Sequence, residues 1–138
     1  MAERNPYIPA HETAGSKRVS VIQHTNVETS DVARSQQWYK KVFDAEWTEE
    51  GPRFLKLGSS ELHLHVEANP QPHRTNHFAV EVEDWDSWYA NLSEVGVSFE
   101  PGREPKMGSG GKFGGFLKDP DGNVIEVMYH AEWHKALG

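Results

Sequence analysis

The chain has 138 residues, 36% of them apolar, with 14 Lys and Arg against 21 Asp and Glu and a formal net charge of −7. That is apolar material for one core but not for two. No apolar run approaches the roughly 20 residues that cross a bilayer, and an acidic chain suits nucleic acid poorly, because that binding rests on Lys and Arg displacing counterions. Cysteine is absent while histidine occurs eight times, so disulfides, thiolate-held iron–sulfur clusters and thiol nucleophiles are excluded, and any metal must be held by nitrogen and oxygen.

Residues 1–17 are polar, lack periodicity and contain Pro6 and Pro9, which predicts a flexible arm. The first fifteen carry charge where a signal peptide needs an apolar segment, so a cytoplasmic protein is expected. A single domain is expected over residues 18–138. Residues 19–27 read as a strand, and Thr29, Ser30 and Asp31 offer N-cap oxygens to a helix through VARSQQWYKKVF, with Val32, Tyr39, Val42 and Phe43 on one face. Short strands follow around 45–49 and 53–57, across the Gly51-Pro52 turn, and then a strictly alternating strand over 61–67. After the stiff Asn69-Pro70-Gln71-Pro72 connector, residues 77–82 read as a strand. Asp84 then caps a second helix, with Trp85, Trp88, Tyr89 and Leu92 facing inward and Gly96 ending it. Strands near 97–100 and 113–118, a DPDG turn at 119–122 and a last strand over 123–130 follow, leaving a tail at 131–138. The run Glu81, Glu83, Asp84 and Asp86 suits a solvated edge and helix start, and the glycine-rich stretch 108–115 suits a mobile flap over a pocket mouth.

The pattern repeats. Superimposing His24 on His77 aligns Val27 with Val80, Glu28 with Glu81 and Asp31 with Asp84, so each half reads βαβββ, over about 18–68 and 73–130. ELHLHVE closes the first half and VIEVMYH the second, which sets His63 opposite Glu126. A pseudo-two-fold between the halves lets the opening and closing strands converge, and with them His24, His77, His63 and Glu126, all of metal-ligand type. Strand alternation puts His65 on the same face as His63, so either histidine can take that position. Two imidazoles and a carboxylate suit Fe2+, Mn2+, Ni2+ or Zn2+ and resemble the facial triad that leaves positions open for substrate.

The stretches HTNVETSDVARSQQWYKKVF, NHFAVEVED and FLKDPDGNVIEV, with a histidine at the start of each half, together resemble the vicinal oxygen chelate superfamily. That superfamily includes glyoxalase I, fosfomycin-modifying enzymes, extradiol dioxygenases and bleomycin-resistance proteins, and the resemblance covers about 19–129. It implies an α+β fold in which two tandem βαβββ modules form a curved, mixed eight-stranded sheet with the helices outside. It implies His24, His77 and Glu126 as ligands of a divalent metal, with His63 as the fourth group, Glu126 and His63 as catalytic groups, and a homodimer. The implied activity is on a small oxygenated molecule that chelates the metal, by dioxygenase or by lyase or isomerase chemistry. A histidine where glyoxalase I carries glutamate or glutamine departs from the pattern and removes the usual pair of carboxylates for moving a proton from carbon. The alternative the resemblance allows is a non-catalytic protein that binds and sequesters a small, antibiotic-type molecule.

Overall fold

The chain runs β1 (His24–Thr29), α1 (Val32–Phe43), β2 (Glu46–Thr48), β3 (Gly51–Leu57), β4 (Ser60–Val66), β5 (Phe78–Glu81), α2 (Trp85–Glu94), β6 (Lys106–Met107), β7 (Lys112–Lys118), β8 (Val124–His130) and α3 (Ala131–Leu137). The structure, a computed structural model, describes residues 21–73, 75–107 and 112–137. The arm expected at 1–17 and the 108–111 part of the expected flap lie outside the described residues. Asp31 caps α1 by accepting from the Arg34 backbone N–H, and Asp84 caps α2 by accepting from that of Ser87. Each cap satisfies a donor that the first helical turn leaves open.

Two four-stranded sheets form, in the orders β1-β4-β3-β2 and β5-β8-β7-β6. In each, the first strand pairs in parallel with the fourth, and the other pairings are antiparallel. The α+β class and the tandem modules match expectation. The eight strands, however, make two separately hydrogen-bonded sheets in place of one, since no ladder among the described residues joins a strand of one module to a strand of the other.

Alternation gives each sheet an apolar face and a polar one. Val27, Leu55, Leu62 and Leu64 of the first sheet are buried with Trp38, Tyr39 and Val42 of α1, and Leu117, Ile125 and Val127 of the second with Trp85, Trp88 and Leu92 of α2. Trp85 stacks on Phe113 of β7 at 5.3 Å between centroids. The two helices also meet: Phe43 stacks on Trp88 at 6.1 Å, Trp88 Nε1 donates to the Val42 carbonyl at 2.8 Å, and Asn91 Nδ2 donates to the Lys41 carbonyl at 2.8 Å. One apolar cluster therefore runs through both modules. No helix among the described residues is long and apolar enough to cross a membrane.

Several local expectations need correction. Tyr89 does not face inward: it is 48% exposed, at the rim of the Trp85, Trp88 and Leu92 stripe, stacked on Phe99 at 6.0 Å. Residues 97–100 form no strand; the edge strand is β6. Phe99 instead closes over Gly115, where a Cβ would lie 2.8 Å from the Phe99 ring and 3.1 Å from Pro105 N, so a side chain would force that segment open. Residues 131–137 are helical. Glu81 is no solvated edge residue, because it accepts from His130 N at 2.6 Å, from His130 Nδ1 at 2.7 Å and from His134 Nε2 at 3.0 Å, tying α3 to β5.

The DPDGN turn bolts the second module to the first. Asp119, 5% exposed, accepts from the backbone N–H of Asp121 and Asn123 at 2.9 Å each, from Asn123 Nδ2 at 2.8 Å and from the Tyr39 hydroxyl at 2.7 Å. Asn123 Nδ2 also donates to the Glu28 carbonyl at 2.8 Å. Asp121 Oδ1 accepts from Arg34 Nη2 at 2.6 Å and from Ser30 N and Oγ at 3.1 and 2.9 Å. Burial works against the Asp121 charge, but hydrogen bonds from Thr29, Ser30 and Arg34 outweigh it and hold the carboxyl below its usual range. Burial dominates at Asp119 and raises it. A depressed folded value makes the Asp121 contribution fully present above its unfolded value and lost as pH falls through the folded one. Asp121→Asn is thus expected to lower stability by about 1–3 kcal/mol at neutral pH. The gap from the parent should narrow as pH drops below the ordinary Asp range, which thermal melts across acid pH would follow.

Candidate metal centre

The polar faces of the two sheets carry the candidate ligands at matching places. In the first sheet His24 is in register with Glu61, and His63 with both Asn26 and Phe54, so His24, Asn26, Phe54, Glu61 and His63 share one face. In the second, Ala79 and Phe116 are in register with Glu126, and His77 directly precedes β5 on the side of Ala79. The parallel pairing of first with fourth strand brings each opening residue diagonally next to a closing one.

Two pairs result. The His24 and His63 rings stack at 4.0 Å and 14°, with the Phe54 ring edge-on to His63 at 4.9 Å. His77 Nε2 lies 3.2 Å from Glu126 Oε1, and the His77 ring meets Phe116 at 5.4 Å. Of the two histidines left open for that place, His63 is the one stacked on His24, while His65 lies 3.0 Å from Glu67 and is exposed. The convergence of all four groups is not found within one chain: among the described residues, no three His, Asp or Glu side chains gather as a set that could hold an ion.

The second pair carries an electrostatic demand. His77 Nδ1 lies 2.9 Å from the Thr75 carbonyl, an oxygen that can only accept, so Nδ1 bears the proton and donates. In the neutral ring Nε2 then presents a lone pair to the Glu126 carboxylate. Two acceptors 3.2 Å apart need a proton or a metal ion between them. Both side chains keep solvent access, at 32% and 24% exposure. The first pair has its own carboxylate, which the sequence reading missed: Glu61 Oε1 lies 2.9 Å from His63 Nε2. The bond from His63 holds the Glu61 carboxyl below its usual range. Its position two residues before His63, on the same face, was the available signal.

Beside His77 a cavity of about 250 Å3 is walled by Asn26, Glu28, Gln71, His73, Asn76 and Asn123, among others. It takes residues from both modules and from the connector, with the Gln71 backbone N–H held by Glu28 at 3.1 Å. A second cavity, of about 390 Å3, shares Pro72, His73 and Val124 with the first.

The sequence over residues 21–127 matches the family model of the Glyoxalase/Bleomycin resistance protein/Dioxygenase superfamily. The chain belongs to this superfamily. It is similar to metallothiol transferase FosB from Bacillus licheniformis, 26% identical over 120 residues that cover 81% of this chain and 77% of that protein. Among solved structures it is similar to lactoylglutathione lyase from Agrobacterium tumefaciens, at 22% identity and a TM-score of 0.64, covering 85% of this chain and 98% of that one. A bleomycin resistance determinant encoded on the transposon Tn5 gives 15% identity and a TM-score of 0.64, with 80% and 98% covered. The two structural likenesses are of fold alone. A lyase and a resistance determinant share it, so the superfamily fold does not select a chemistry, and the site residues must.

Proposed function

We propose that the chain is a divalent-metal-dependent enzyme of this superfamily, acting on a small oxygenated molecule that chelates the ion through two oxygens. The observation that carries this reading is the His77–Glu126 contact, whose facing nitrogen and oxygen can share an ion, together with an imidazole pair at the repeat-equivalent place. His24, His77 and Glu126 are the ligands in this reading. The donor set fits: it is nitrogen and oxygen only, and Nε2 of His77 is oriented by the bond that its other nitrogen makes, as a ligating histidine requires. Bound there, Fe2+, Mn2+, Ni2+ or Zn2+ would polarise the substrate oxygens.

Since the two pairs do not merge within one chain, a two-fold homodimer that sets the first module of one copy against the second module of the other is the arrangement that completes the site, twice over. His63, backed by Glu61, is then a carboxylate-oriented imidazole placed beside the ion to take up and return a proton, and Glu126 is the second carboxylate of the site. That pairing favours lyase or isomerase chemistry, in which a proton moves and no oxidant is consumed. Elemental analysis of untagged protein, purified anaerobically without chelators, should find near-stoichiometric metal that Glu126→Ala loses while keeping its circular dichroism. Full retention of metal by that variant would sink the reading, and absence of metal from both proteins would turn the search to ligand sequestration.

A further inference from the structure

We propose that the cavity bounded by Arg103, Lys118 and His73 is a subsite for an oxyanion, a carboxylate or phosphoryl group at the end of the substrate remote from the metal-chelating oxygens. It rests on the preceding reading only in calling that anion part of the substrate. In a chain of net charge −7, the cavity of about 390 Å3 has three polar side chains among its lining residues, and all three are cationic or donor-bearing.

Each is positioned as an anion receptor. The Arg103 guanidinium sits over Phe116, its carbon 3.6 Å from the ring centroid, and makes no ion pair with a carboxylate among the described residues. Contact with the ring restrains the guanidinium while its N–H groups stay unpaired among the described residues, and such a fork can take a carboxylate or phosphoryl group with two bonds. His73 Nδ1 accepts from the backbone N–H of Thr75 and of Asn76, both at 3.1 Å, so its proton resides on Nε2 and that nitrogen donates. Lys118 contributes a point charge; its carboxylate neighbour among the described residues, Glu100, stands 3.9 Å away, at the limit of an ion pair.

The subsite is held at a set distance from the metal pair. The Phe116 ring that carries Arg103 on one side meets His77 at 5.4 Å. Lys118 is in register with Val124 on β8, and β8 pairs with β5, so Lys118 and His77 stand about two strand spacings apart, roughly 10 Å. A chelating end at His77 and Glu126 with an anionic end at Arg103 therefore describes a short, linear, acidic molecule, and the cavity shared through His73 and Val124 connects the two.

Binding of inorganic phosphate and of malonate to the full-length protein, stripped of metal and desalted, tests this by amide NMR shifts and calorimetry. Arg103→Gln and Lys118→Gln are each expected to weaken the anion about tenfold, as loss of a charge-assisted hydrogen bond does, while Glu126→Ala does not weaken it. A stronger response to phosphate assigns a phosphoryl end and a stronger response to malonate a carboxylate end. Affinity unmoved by both cation substitutions, or no binding at millimolar anion, overturns the subsite. Metal content is read separately: a Glu126→Ala protein that keeps its metal discards the metal role and leaves the subsite standing, and an Arg103→Gln protein that keeps its phosphate does the reverse.

Discussion

Mixing two metal-free variants is expected to restore metal to one site in four. A chain bearing His24→Ala with His63→Ala has lost the first-module pair, and a chain bearing His77→Ala with Glu126→Ala has lost the second. Even a group that only orients a ligand is worth about 10–100-fold in metal affinity, so each double variant alone should retain essentially none. Random pairing makes half of the dimers mixed, and each mixed dimer combines two intact halves at one site and two broken halves at the other. Co-refolded variants should then hold a quarter of the parental metal by elemental analysis and regain activity in proportion. A site completed within one chain gives no recovery on mixing, because every chain present lacks one pair.

The second large effect is expected on stability. Asp119→Ala removes the acceptor for the Tyr39 hydroxyl, the Asn123 amide and two backbone N–H groups, all around a carboxylate that is 5% exposed. Leaving that many donors unpaired in the interior is worth about 3–5 kcal/mol, a large part of the roughly 5–15 kcal/mol that holds a domain folded. Tyr39→Phe leaves Asp119 its other three donors and should lose about 1–2 kcal/mol. Urea titrations should show both as lowered midpoints. A midpoint unchanged in Asp119→Ala would mean that the turn does not hold the modules together.

That turn illustrates which parts of the molecule were legible in sequence. DPDGN was readable as a turn and as a family signature, but its work, accepting from Tyr39 80 residues earlier, depends on a docking that local pattern does not encode. The repeat was legible because His24 and His77, Asp31 and Asp84, and the closing strands recur in one spacing, and periodicity survives without knowledge of tertiary contacts. Glu81 was misread for the opposite reason: its charge sits among other acids in sequence, while its partners His130 and His134 come 49 and 53 residues later. Tyr89 lies one helical turn beyond Trp85, which spacing alone makes inward, yet α2 is covered on one stripe only and Tyr89 is at the stripe's edge. The repeat sets His24 with His63 and His77 with Glu126 at equivalent places, and the structure brings each pair into contact, but whether two pairs meet depends on how the sheets assemble, and that is written in neither module alone.

Parallel closure of each module also makes its candidate site depend on a pairing between distant parts of the chain. His77 and Glu126 are 49 residues apart, with α2, β6 and β7 between them in sequence, and become neighbours only when β8 pairs with β5. Such long-range pairings form late and slowly, because loop closure must be accomplished before any contact rewards it. A nascent or partly folded chain therefore holds scattered histidines with little hold on an ion. On the proposed reading, a metal that binds the completed site and not the unfolded chain would stabilise the native state by mass action.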